Sequence, residues 1–190
     1  MERKYMNNAH DENKEGFEND ERFENLIASV ADFPRPGIIF RDITPLLCDW
    51  DLFREVVICM SKHMDDFQPH KVVGIESRGF ILGSALALDA AAGFVPVRKA
   101  GKLPRERHSV SCSLEYGEET LEMHKDAIKP GEVVIIVDDV LATGGTTEAA
   151  IKLVEMCGGV VAMCVFLAEI TQLKGRERIK KGRVESIVKF

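Results

Sequence analysis

The sequence has 190 residues, 45% hydrophobic and 29% charged, the balance of one globular domain with a sizeable core rather than of a disordered chain. Its net charge of −6 is concentrated in residues 1–25, where eight acids face four bases; the rest is nearly neutral, so overall charge argues neither for nor against a polyanionic ligand. Five cysteines at wide spacings, without a C-x-x-C pair, speak against a zinc or disulfide framework and for a reducing compartment.

Residues 1–20 are rich in Asn, Glu and Asp and read as a flexible acidic tail, leaving 21–190 as a single domain. The charged N-terminal stretch does not resemble a signal peptide. The longest apolar run, residues 160–168, is too short to cross a bilayer. A soluble, cytoplasmic protein is expected. Over 22–30 the apolar positions Phe23, Leu26, Ile27 and Val30 recur at helical spacing and predict a helix that stops before Pro34. Residues 33–47 hold three prolines and Gly37 and are expected to be extended or turned. Their apolar side chains, among them Phe33, Ile38, Ile39 and Phe40, must cover either core or ligand.

An amphipathic helix is predicted over 51–64. A short strand at 72–75 leads through Glu76-Ser77-Arg78-Gly79 into an Ala- and Leu-rich helix ending near 91, and a strand follows at 94–97. Strand, helix, strand predicts a right-handed crossover and a parallel sheet. Residues 98–107 carry five bases (Arg98, Lys99, Lys102, Arg105, Arg107) against the single acid Glu106. Two strands, about 109–114 and 120–124, are joined near Gly117. Five consecutive β-branched residues, 133–137, read as a strand buried on both faces. A helix over 146–156, a strand over 160–167 and a short strand at 187–188 complete the pattern. No repeat or interdomain linker is visible.

The chemistry concentrates in residues 133–147. A buried strand delivers Asp138 and Asp139 at its carboxyl end, where ligands collect in parallel α/β sheets. The loop Ala142-Thr143-Gly144-Gly145-Thr146 then opens a helix. The glycines let backbone N–H groups approach an anion, and the helix N-terminus adds partial positive charge. Carboxylates repel phosphate but accept hydrogen bonds from vicinal hydroxyls, so cradle and acids together suit a ribose 5-phosphate. A Walker loop is excluded because no lysine follows the glycines. Two glycines alone would equally suit a strand–turn–helix capped by solvated acids; the entire run favours the cradle.

This run resembles the phosphoribosyl-diphosphate signature of the type I phosphoribosyltransferases. Four other stretches are similar to the adenine-using branch of that family: Phe33-Pro34-Arg35-Pro36-Gly37-Ile38-Ile39-Phe40-Arg41-Asp42-Ile43, Glu76-Ser77-Arg78-Gly79-Phe80, Arg98-Lys99-Ala100-Gly101-Lys102-Leu103-Pro104 and Ser113-Leu114-Glu115-Tyr116-Gly117. The resemblance implies an α/β fold with a central, mostly parallel sheet flanked by helices. It adds a small N-terminal hood (about 22–47) and a flexible β-hairpin lid (about 98–124). It implies transfer of phosphoribose from phosphoribosyl diphosphate to adenine, giving AMP and diphosphate, in a homodimer. Magnesium would be held through substrate oxygens and water rather than by a direct protein site.

By the same resemblance Ala142, Thr143, Gly144, Gly145 and Thr146 hold the 5-phosphate, and Asp138 and Asp139 hold the ribose hydroxyls. Ser77, Arg78, Arg98, Lys99 and Lys102 meet the diphosphate, and a cis peptide is implied between Glu76 and Ser77. Ile39, Phe40, Arg41 and Val140 enclose adenine, and Glu115 is the general acid/base. Arg105, His108 and Cys112 depart from the family's usual lid. Two alternatives stand beside this reading. One is a related enzyme for hypoxanthine, xanthine or another base, against which residues 33–43 argue. The other is a ligand-sensing regulator, against which the lid lysines and Glu115 argue. No helix-turn-helix is evident and the basic run is too local for a DNA-binding face. Neither nucleic acid nor membrane is therefore expected as a partner.

Overall fold

A computed structural model describes residues 21–114 and 117–190; the acidic tail expected over 1–20, and Glu115 with Tyr116, lie outside the described residues. In chain order the elements are α1 (Glu21–Glu24), β1 (Ala28–Ala31), β2 (Ile39–Asp42), α2 (Thr44–Cys48), α3 (Trp50–Lys62), β3 (Lys71–Ile75), α4 (Gly79–Asp89) and β4 (Gly93–Lys99). There follow β5 (Arg107–Leu114), β6 (Gly117–His124), β7 (Val133–Leu141), α5 (Gly145–Met156), β8 (Val160–Glu169), α6 (Gly175–Arg178) and β9 (Arg183–Lys189).

Seven strands form one sheet in the order β5-β6-β4-β3-β7-β8-β9. From β4 to β9 neighbouring strands are parallel, and the β5–β6 hairpin is added antiparallel at the β4 edge. Along β7, Val134 and Ile136 enter the core on the α5 side, while Ile135 and Val137 enter the core shared with α3 and α4. All four are fully buried, which is why every position from Val133 to Val137 is apolar rather than every second one. Helix α3 begins at Asp49, whose carboxylate accepts the Leu52 N–H at 3.1 Å, and it buries Val56, Cys59 and Met60. Helix α4 buries Leu82, Gly83, Leu86 and Ala87 close on the sheet. A Cβ at Gly74 would sit 2.7 Å from the Phe94 ring and 2.8 Å from the Gly79 carbonyl oxygen, so glycine sets that approach.

The N-terminal region departs from the sequence expectation. The helix predicted over 22–30 is only α1, and β1 pairs antiparallel with β2 from Ala28↔Asp42 to Ala31↔Ile39. Phe23 and Ile27 do reach the core, but Val30 is 42% exposed. The helical stripe thus has nothing to cover beyond Ile27, and strand pairing satisfies the backbone instead. Asp32, at φ 57°, turns the chain and accepts the Gly37 N–H at 2.7 Å. Nor is 33–47 wholly extended: Thr44–Cys48 is a helical turn. Pro45 occupies its first turn, where a missing N–H costs nothing. Leu46 is fully buried, and the Asp42 carboxylate accepts the Thr44 N–H at 3.0 Å. The strand–helix–strand unit with its parallel pairing and helices α3, α4 and α5 stand as read, whereas α6 was not foreseen; β7 runs on through Leu141 and the last strand is lengthened to Arg183–Lys189.

Candidate active site

From β3 the chain moves outward to β4, whereas from β7 it moves outward the other way to β8 and β9. Adjacent strands that diverge in this way leave a crevice beyond their carboxyl ends. A cavity of about 370 Å³ occupies that place. Its walls are Glu76, Ser77 and Arg78 after β3, Asp138, Asp139, Val140 and Ala142 along and after β7, Ile38 to Arg41 from the β1–β2 sheet, Lys99 from β4 and Ile170 after β8.

The two aspartates differ in environment. Asp139 is 4% exposed and its carboxylate is paired with Arg78 Nε. Asp138 Oδ1 accepts the backbone N–H of Asp139 at 3.0 Å and lies against Gly79, where a Cβ would come within 2.8 Å of it. Loss of hydration and the neighbouring Asp139 charge push the Asp138 carboxyl well above the usual range, against a smaller pull from Arg78. The Arg78 guanidinium also lies 4.6 Å from the centre of the Phe40 ring. An aromatic ring, a guanidinium and two carboxylates therefore run in series across the cavity.

After Ala142 the chain turns through Gly144, whose φ of 79° caps α5 without a side-chain hydrogen bond. The first N–H groups of α5 lack intrahelical partners by geometry, so this turn has donors to offer an anion. Opposite, the peptide between Glu76 and Ser77 is cis, as is Phe33–Pro34. Glu76 accepts two bonds from Arg98, from Nε and Nη2, each at 3.2 Å, and a third from the Lys99 backbone N–H at 3.0 Å. Burial alone would raise its carboxyl; these bonds outweigh burial and hold it below the ordinary value. The Lys99 ammonium pairs with Glu119 at 2.7 Å. In the N-terminal region Phe33 meets Phe40 edge-on at 5.2 Å, and Arg41 lies 3.6 Å over the Phe190 ring.

Ten expected residues thus meet around one cavity: Ile39, Phe40, Arg41, Ser77, Arg78, Lys99, Asp138, Asp139, Val140 and Ala142. Thr143, Gly144, Gly145 and Thr146 continue from Ala142 around the start of α5 without lining it. Arg98 and Lys102 do not line it either: Arg98 is turned onto Glu76 and onto the Lys102 carbonyl at 3.3 Å. Glu115 is outside the described residues. Sequence reading did not assign Ile38, Glu76 and Ile170 as site residues, although all three are wall residues. The rule that strand carboxyl ends gather ligands points to Ile170, just past β8, whereas the Glu76–Arg98 pairing has no local signal. Among the described residues no three His, Cys, Asp or Glu side chains gather into a set able to hold a metal.

Comparison with known proteins agrees with this geometry. The profile of the family described as phosphoribosyl transferase domain matches residues 53–189. The adenine phosphoribosyltransferase of Carboxydothermus hydrogenoformans is 52% identical over 164 residues, covering 86% of this chain and 96% of that protein. The crystal structure of adenine phosphoribosyltransferase from Rhodothermus marinus superposes with a TM-score of 0.86 at 51% identity, covering 90% of this chain and 97% of the other. That from Saccharomyces cerevisiae, complexed with an imino-altritol bisphosphate and adenine, gives 0.83 at 37% identity, with coverage of 88% and 97%. The chain therefore belongs to the phosphoribosyltransferase family, in its adenine phosphoribosyltransferase branch.

Proposed function

We propose that the protein transfers the phosphoribosyl group of phosphoribosyl diphosphate to adenine, releasing AMP and diphosphate. The observation that carries the reading is the meeting, around one cavity at the switch point, of the Asp138–Ala142 strand end and the Glu76–Arg78 turn, with the Gly144 turn continuing directly from Ala142. The substrate lies across it. Its 5-phosphate takes the N–H groups of residues 142–146 and the hydroxyls of Thr143 and Thr146, and its vicinal hydroxyls donate to Asp138 and Asp139. Its diphosphate meets Ser77 and Arg78. Arg98, Lys99 and Lys102 join when diphosphate competes with Glu76 and Glu119 for their charges.

Adenine enters between the β2 residues Ile39 to Arg41 and Val140, with Phe40 stacked on the base and backbone groups of Ile39 and Arg41 reading its edge. In the reaction the C1–diphosphate oxygen bond breaks as the C1–N bond forms. Glu115, which lies between β5 and β6 in the sequence, exchanges the proton on a ring nitrogen. Residues 98–124 act as a lid that excludes water, and 22–47 as a hood over the base. Magnesium fits such a site, because it keeps several waters and is commonly held on substrate phosphates. Substrate oxygens and water would hold it, with Asp138 and Asp139 reaching it only through those waters, and it would neutralise charge on the leaving diphosphate.

The protein works as a homodimer in a reducing cytoplasm. Ile81 and Leu88, seven residues apart on one face of α4, are 41% and 84% exposed, which suits a subunit contact. None of the five cysteines is in a disulfide, and among the described residues no helix is long and apolar enough to cross a membrane. Replacing Asp138 and Asp139 together by Asn is expected to abolish AMP formation while the protein remains folded by circular dichroism. Near-normal turnover of that variant would remove the ribose-binding role.

A further inference from the structure

The short helix α6 and the residues before it have no place in the reaction described above, yet they lie directly behind the Ala142–Gly144 turn. Gly175 is buried, and a Cβ there would sit 2.1 Å from the Ala142 carbonyl oxygen and 3.0 Å from the Gly144 nitrogen. Reciprocally, a Cβ on Gly144 would sit 2.6 Å from the Gly175 carbonyl oxygen. Two backbones are thus pressed together with no room for a side chain on either, and no flexible group is present to give way.

The residues that follow tie this contact down on both sides. Arg176 donates to both carboxylate oxygens of Glu169, at 3.2 Å and 2.6 Å, to Ser186 Oγ at 2.8 Å and to the Val184 carbonyl at 2.5 Å. Ser186 donates to the same Glu169 carboxylate, which is 4% exposed. Glu169 ends β8 and pairs in register with Leu141, the residue preceding the turn. On the other side Arg178 Nε meets Glu148 Oε2 at 2.5 Å, in the first turn of α5. The segment is therefore fixed to the sheet before the turn and to the helix after it.

We propose that residues 174–178 form a rigid backstop for the phosphate turn, with Gly175 as a positioning residue and Arg176 and Arg178 as its anchors. This rests on the reading of residues 142–146 as the 5-phosphate site. The backstop fixes where the turn's N–H groups point before substrate arrives, so its loss is felt in binding of the 5-phosphate rather than in turnover.

The test compares Gly175→Ala, Arg178→Gln and, as a control within the turn, Thr146→Val. KM is measured for both substrates, together with inhibition by ribose 5-phosphate, which carries neither base nor diphosphate. Displacing one N–H from a charged acceptor should make Gly175→Ala bind ribose 5-phosphate and phosphoribosyl diphosphate about tenfold more weakly, with the KM for adenine and kcat little changed. Arg178→Gln, which cuts an exposed ion pair and leaves the fold intact, should show the same split at about twofold to fivefold, and it decides the matter if Gly175→Ala does not fold. The proposal is overturned if folded variants bind ribose 5-phosphate as the parent does, or if both KM values rise together. If Thr146→Val alone weakens ribose 5-phosphate, the backstop falls and the phosphate site stands; if no variant does, both fall.

Discussion

Phe40 touches the proposed base site without being part of the core, so its truncation isolates base recognition. Its ring is half-buried, edge-on to Phe33 at 5.2 Å, and 4.6 Å from the Arg78 guanidinium. Stacking of an aromatic side chain on a base is worth about 1–3 kcal/mol, so Phe40→Ala should raise the KM for adenine about fivefold to 150-fold. The lost contact with Arg78, about 0.5–1 kcal/mol at an exposed site, should raise the KM for phosphoribosyl diphosphate only about twofold to fivefold. The ring pair with Phe33 contributes about 0.5–1.5 kcal/mol, and Phe33 is itself 51% exposed. Tm should therefore fall by only about 2–5 °C. Initial rates of AMP formation over a grid of both substrate concentrations separate the two KM values, and Phe40→Tyr, which keeps the ring, should restore the adenine value. Equal rises in both constants, or an unchanged adenine KM in a folded variant, would refute the stacking role.

Glu115→Gln is expected to lower kcat by about 10²–10⁴, the usual contribution of a positioned acid/base, with both KM values little changed; a change confined to KM would remove Glu115 from the chemistry. The buried Glu169 gives a pH test of the anchor network. Burial alone would raise its carboxyl, but bonds from Arg176 and Ser186 outweigh burial and hold it below its ordinary 4.5. A depressed carboxyl stabilises the fold above its ordinary value and loses that contribution as pH falls through the folded value. Tm of the parent should consequently exceed that of Glu169→Gln at pH 7, with the gap closing below pH 4.5. Parallel Tm curves down to pH 3 would contradict this.

The centre of the sheet was legible because its physics is local. Five β-branched residues in a row read as a strand with two apolar faces, and acids followed by glycines place a strand end and a tight turn directly after it. The expected Phe40, Arg78 and Asp139 do converge, and resemblance rather than periodicity put Phe40 there. The N-terminal helix was misread because Phe23, Leu26, Ile27 and Val30 keep helical spacing although only the first part of that stripe finds a core. Helix α2 was missed because proline was read as a breaker, whereas in a first turn it is neutral. What could not be read was long-range pairing. Glu76 claims Arg98 across 22 residues of sequence, so the basic run 98–107 is partly engaged within the fold. Gly175 meets Gly144 only after β8 has returned the chain to the same end of the sheet.

The central claim is the identity of the base and its acceptor chemistry. Purified protein with magnesium, phosphoribosyl diphosphate and either adenine or hypoxanthine tests it directly, by separating nucleotide products. The account predicts AMP from adenine, stoichiometric diphosphate and little product from hypoxanthine. Turnover of hypoxanthine without turnover of adenine would contradict it.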